Sequence, residues 1–233
     1  YITTDALCHH KSISFRSNPD KPFVVTIGAE LAAQFGGTKR YYEKGILIDS
    51  LTMKSPTRLK DFFKILFPSS GDGQTNEGDQ AYYYGNHVGQ WNLSAEYRFK
   101  DNSSVRGYFE WYFDDASGMG KFNGWDGLWG LEYKSGKKNW LSNVVLEYLD
   151  MTNQSGPLNW CPSDYNDPKL DIEATGADDY YNNYFYNGWA HYGLSNGTAM
   201  AKSLLYNTDG YMRYKHNRIR GVHLGASGYI APE

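Results

Sequence analysis

"VRGYFEWYFDD", residues 105–115, alternates two kinds of side chain. One set is Val105, Gly107, Phe109, Trp111 and Phe113; the other is Arg106, Tyr108, Glu110, Tyr112 and Asp114. A period of two is that of a β-strand, whose successive side chains point to opposite faces. A soluble sheet would bury the Phe/Trp set and wet the charged one. A membrane barrel would turn the aromatics outward to lipid and the charges inward to a wet lumen.

The same design recurs along the chain. In "FVVTIGAELAAQF" Phe23, Val25, Ile27, Ala29, Leu31, Ala33 and Phe35 share one face, opposite Thr26, Gly28, Glu30 and Gln34. At roughly 3.3 Å per residue this strand reaches about 40 Å, long for a globular strand. "WNLSAEYRFK" sets Trp91, Leu93, Ala95, Tyr97 and Phe99 against Asn92, Ser94, Glu96, Arg98 and Lys100. "WDGLWGLEY", "WLSNVVLEYLD", a shorter "KSISFRS" and the closing "RIRGVHLGASGYI" complete the set. Short connections at 18–20, 101–103 and 135–138 alternate with longer ones at 36–89, 115–124 and 151–217. Short turns at one end and long loops at the other is the build of an outer-membrane barrel.

The expected fold is therefore all-β, a single antiparallel transmembrane β-barrel segment over residues 1–233, of about seven or eight strands. The polar residues Glu30, Glu96, Arg98, Arg106, Glu110, Glu132 and Glu147 would line its lumen, with Lys134 among them. The competing reading makes them the solvated face of a soluble sheet. One helix is expected in the 36–89 loop, capped by Ser55, with Pro56 in its first turn and Pro68 stopping it. Leu59, Phe62, Phe63 and Leu66 fall at helical spacing. It would either cover the barrel mouth as a plug or bury one stripe as an ordinary loop helix.

Composition agrees with a β protein and excludes some functions. Among 233 residues there are 21 Tyr and 25 Gly, with 17% aromatics and a net charge of -3. No basic cluster exists to pair with nucleic-acid phosphates. No apolar run is long enough for a transmembrane helix, which leaves a barrel untouched. Cys8 and Cys161 lack metal-site spacing and allow at most one disulfide; His9 and His10 add no partner motif. "GDGQTNEGD" holds Asp72, Asn76 and Asp79 at loosely calcium-like spacing without the bidentate Glu of an EF-hand. No GxSxG, HExxH or phosphate loop is present, so neither cofactor nor metal is expected.

The runs "YFEWYFDDASGMGKFNGWDGLWGLEY", "NWLSNVVLEYLDMTNQSGP" and "DDYYNNYFYNGWAHYG", with "FRSNPDKPFVVTIGAELAAQFGG" and "NRIRGVHLGASG", resemble the capsule-assembly Wzi family of Bacteroidetes-type bacteria. The resemblance covers nearly the whole chain. It implies a non-enzymatic outer-membrane β-barrel acting as a surface lectin, which holds and organises capsular polysaccharide amid outer-membrane lipid. Such barrels need roughly 16–18 strands, so the chain reads as an interior portion of a longer protein.

The loop 151–217 is the expected sugar site. It offers Trp160, Tyr180, Tyr181, Tyr184, Tyr186, Trp189 and His191, interleaved with Asp178 and Asp179 and with several Asn. Sugar rings stack their C–H faces on aromatics while their hydroxyls take amide and carboxylate partners. Alternatively such loops simply pack on one another above a barrel. Tyr82, Tyr83, Tyr84 and His87 form a second, weaker cluster. Two other functions compete with the lectin: a porin or saccharide channel, and a glycoside hydrolase drawing a carboxyl pair from Glu110, Asp114, Asp115, Asp126 and Asp150.

Overall fold

Seven long strands follow one another in a meander. They are β1 (Ile2–Arg16), β2 (Phe23–Arg40), β3 (Asn86–Arg98), β4 (Ser104–Phe113), β5 (Gly127–Lys134), β6 (Asn143–Asp150) and β7 (Arg220–Ser227). The computed structural model describes residues 1–114, 116–154, 159–160, 172–173, 179–197 and 200–231. Each long strand pairs antiparallel with the next, and a two-residue strand, Met53–Lys54, adds to β2 to make an eight-stranded sheet. Among the described residues the sheet is not closed: β1 and β7 are its two edges. Every strand expected from alternation is present, with β1 and β2 running further than their patterns.

The register carries each alternating pattern into rows that cross the sheet. Phe15, Ile27, Leu93, Phe109, Trp129, Tyr148 and Val222 form one such row; Phe23, Tyr97, Val105, Tyr133 and Val144 form another. Both lie on the apolar face, and no second sheet covers that face among the described residues. Ile13 and Leu224 are each 76% exposed, and Phe15, Ile27, Leu131 and Val222 between them are exposed as well. A patch of this extent is unusual on a soluble monomer.

On the opposite face the charges form a cross-strand ladder. Glu96 meets Arg98 at 2.9 Å and Arg16 at 3.7 Å; Glu132 lies between Lys134 at 3.1 Å and Arg106 at 3.8 Å. Asn92 donates to Glu30 at 2.9 Å, and Glu147 accepts from the Tyr108 hydroxyl while facing His223 at 3.3 Å. The seven polar positions read from the sequence thus share one face.

The connections at one end are short (17–22, 99–103, 135–142), and those at the other are long (41–85, 114–126, 151–219). The two longest loops go to opposite faces. Residues 179–214 fold onto the polar face, where Tyr180, Tyr181, Trp189, Leu204 and Tyr214 pack on Leu149 and Met151, with Ala32, Val88, Tyr112 and Leu128 beneath.

Residues 41–85 fold onto the apolar face and carry two helices, α1 (Leu59–Leu66) and α2 (Glu77–Ala81); a one-turn α3 (Ala116–Met119) follows β4. The described residues thus hold three α-helices where one was expected; α2 begins because Asn76 caps it through its side chain in a stretch with no apolar period. The start of α1 also differs from expectation. Arg58 is its N-cap, and the Asp61 carboxylate accepts both the Arg58 backbone N–H at 2.8 Å and its Nε at 2.6 Å. Ser55 is instead buried beside the Tyr84 hydroxyl. Nor does α1 enter the mouth: Phe62 packs edge-on to His9 and against Phe35 on the apolar face of β1 and β2. Asp61 and Ile65, rather than the Leu59/Phe63 stripe, are its buried residues.

Glycine matters where an aromatic ring crosses the sheet. A side chain at Gly130 would meet the Tyr108 ring at 2.0 Å. Gly130→Val is expected to lift Tyr108 from Glu147 and to cost about 1–3 kcal/mol by overpacking, read as a lower midpoint in denaturant-induced unfolding.

Candidate functional site

Two cavities at the long-loop end lie on either side of the 179–189 segment. One, of about 980 Å³, lies at the rim between residues 75–87 and 179–185. The other, of about 480 Å³, lies beneath the loop on the polar face, between Tyr180, Tyr181 and Trp189 above and Glu30, Glu147 and His223 below. Both are of the size of small-ligand sites.

A buried polar knot fixes the loop. Asp126 accepts the backbone N–H groups of Thr152 at 3.1 Å and Asn153 at 2.9 Å, and that of Gln154 as well. Tyr180 donates its hydroxyl to Gln154 O at 2.6 Å and lies 3.2 Å from Asp126 Oδ2, while Asn123 Nδ2 donates to Tyr180 Oη at 3.1 Å. Burial pushes the Asp126 carboxyl upward, opposed by these N–H donors, and pushes the Tyr180 phenol far above its ordinary value.

A second clasp turns on Asp179. Its Oδ1 accepts Tyr181 N at 2.8 Å and Asn182 N at 3.2 Å. Asn182 in turn exchanges hydrogen bonds with the Tyr214 backbone at 2.8 and 2.9 Å. Lys39 donates to Tyr184 O at 2.7 Å and sits 3.7 Å from the Tyr184 ring, tying the loop to the end of β2.

The expected sugar contacts therefore separate. Tyr180, Tyr181 and Trp189 are core residues of the loop, and Tyr180 is only 3% exposed. Their rings face the lower cavity rather than open solvent. Tyr186 is buried as well. Asp179 shapes the turn and borders the rim cavity, and Tyr184, 69% exposed, stands at its edge. His191 is exposed, stacked edge-on to Tyr192 at 4.5 Å, and borders neither cavity. Asp178, Cys161 and the Trp160 side chain lie outside the described residues.

Sequence reading missed Phe185 and the joining of two stretches it had read separately: Asn76, Asp79 and Tyr82 face Asn182 and Asn183 across the rim cavity. The Tyr82–His87 cluster and the "GDGQTNEGD" run were local signals for one wall, but the two walls lie about a hundred residues apart in sequence. Within that cluster Tyr84 is wholly buried and hydrogen-bonded to Gly36 N and Pro56 O. Asp72, read for its calcium-like spacing, is taken up by Arg58 at 3.1 Å, Lys60 at 2.9 Å and Lys64 at 3.5 Å, which hold its carboxyl well below the ordinary range.

Asp79 is the chemically distinctive group. It is buried, and its Oδ2 has no hydrogen-bond partner among the described residues. Burial pushes its carboxyl up to about 7, against the opposing pull of Gly85 N–H and Asn76. Near neutral pH it can therefore be either a hydroxyl donor or a carboxylate acceptor within the cavity wall.

No family model matches the chain, nor does any curated protein or solved structure.

The folded carboxyl of Asp79 titrates above its unfolded value, so the folded state holds the extra proton. Its stabilising effect is complete below about pH 4 and declines as pH rises towards about 7. Hydrogen-exchange protection of residues 71–85, corrected for intrinsic rates, should fall from pH 5 to pH 8. Asp79→Asn should flatten that dependence.

Proposed function

We propose that this chain forms part of an outer-membrane β-barrel that binds capsular polysaccharide at the cell surface and organises it without turnover, as its resemblance to the capsule-assembly Wzi family implies. One observation carries the reading: an apolar face left exposed on six of the seven strands and half-buried on β4, with its polar ladder opposite and its aromatic and amide-rich loops gathered at one end. In lipid such a face is solvated by hydrocarbon, whereas water would leave its transfer free energy, about 25 cal/mol per Å², unrealised.

The rim cavity suits a glycan. It combines exposed Tyr184 with Asn76, Asn182, Asn183 and carboxylates over a buried Phe185, matching the apolar ring faces and hydroxyls of sugars. The loop packed onto the polar face argues against a free diffusion channel, because Tyr180 and Trp189 lie where an open lumen would need water. A second reading, glycoside hydrolysis, is favoured by one feature: Asp79, a carboxyl raised into the range of a general acid, shares the rim cavity with Asp114.

One experiment separates them. Purified capsular polysaccharide is mixed with the detergent-extracted protein and both retention and new reducing ends are measured. The lectin reading expects binding without reducing ends and about tenfold weaker binding for Tyr184→Ala, equivalent to roughly 1.4 kcal/mol. Reducing ends lost in Asp79→Asn would establish the hydrolase. Unchanged binding by Tyr184→Ala would remove the rim assignment.

A further inference from the structure

Helix α1 is amphipathic the wrong way round for a water-soluble loop. Its buried residues are Asp61 and Ile65, while Leu59 is 74% exposed and Phe63 is also open to solvent; Phe67, just past its end, is 69% exposed. Surface helices of soluble domains turn that stripe inward. Here Asp61 is satisfied by Arg58, so the polar side can be buried and the apolar side left outside. Lys11 Nζ donates to Ile65 O at 2.8 Å and to Leu66 O, holding the C-terminal end of α1 against β1.

Position adds the second argument. Phe62 and Ile65 pack on Ala33 and Phe35, on the same face as the exposed apolar rows of the sheet. From Phe23 to Phe35, β2 runs about 40 Å at roughly 3.3 Å per residue. A strand tilt of about 40° makes that about 30 Å of height, against an apolar band of about 25 Å in outer-membrane barrels. The helix thus sits at the upper rim of the band. Lys60 and Lys64, beside its apolar stripe, are both paired with Asp72, so the charged side of the helix is neutralised within the loop.

We propose that α1 is an interfacial anchor, lying outside the barrel with Leu59, Phe63 and Phe67 inserted into the outer-leaflet lipid surface. The occupant of this face is lipid because the stripe continues the exposed apolar rows of the same sheet face. The proposal rests on the membrane reading above. Anchoring α1 fixes one wall of the rim cavity relative to the membrane plane, since α2 follows it in the same loop and contributes Asp79 to that wall.

Spin labels test it. Leu59→Cys, Phe63→Cys, Leu224→Cys and Glu77→Cys are made singly in a Cys8→Ser, Cys161→Ser background. The full protein is then reconstituted in phosphatidylcholine–phosphatidylglycerol vesicles. Collision with oxygen is compared with collision with a water-soluble nickel complex. The expected result is a several-fold higher oxygen-to-nickel ratio at 59 and 63 than at 77, at a depth within about 10 Å of the headgroups, and a deeper position at 224. Lipid exposure at 224 with water exposure at 59 and 63 overturns the anchor and leaves the membrane reading standing. Water exposure at all four sites overturns both. Labels at 59 and 63 shielded from both collision partners overturn the anchor in favour of a protein contact.

Discussion

The structure depends on one constraint: antiparallel register locks the two-residue period of each strand to that of its neighbours. Because Ile27 pairs with Leu93, Leu93 with Phe109 and Phe109 with Trp129, one strand's outward row becomes the next strand's outward row. A slip of one residue in any of the five inner strands, β2 to β6, would place a Glu among the aromatics. The ladder on the other face resists such slips, since Arg106 opposes both Glu96 and Glu132. Each such cross-strand pair contributes only about 0.2–1 kcal/mol, but their positions specify a single alignment.

Given that sheet, the loops have two places to go. The 179–214 segment carries its own aromatic core and buries it on the polar face, where Ala32, Val88 and Leu128 give an apolar footing near the strand ends. Asp126 and Tyr180 act as the fastening, joining the start of β5 to the loop more than fifty residues later. The 41–85 segment crosses instead to the apolar face, seated by Phe35, Ile65 and Tyr84. The rim cavity exists because the two loops end beside each other from opposite sides of the sheet.

Much of the sheet was legible in the sequence, because alternation is a local signal and each strand carries several repeats of it. The faces of Glu30, Glu96, Glu110, Glu132 and Glu147 follow directly from parity. The site was legible only as a region. Tyr180 and Trp189 look like sugar platforms as composition, yet Asn123, Gln154 and Tyr214 satisfy or cover them, and those partners are remote in sequence. The side of the sheet taken by α1 was not legible either. Helical spacing locates the Leu59/Phe63 stripe, but the Arg58–Asp61 pair decides which side of the helix is buried.

Period-two alternation of solvent makes the account most directly testable. Single cysteines along β3, at outward positions 93, 95 and 97 and at inward positions 92, 94 and 96, are introduced without Cys8 and Cys161. They are then probed in membranes with a water-soluble and a lipid-partitioning maleimide. The account predicts that 93, 95 and 97 react with the lipid-partitioning reagent alone, while 92, 94 and 96 react with the water-soluble one. Uniform reaction of the outward positions with the water-soluble reagent would contradict it.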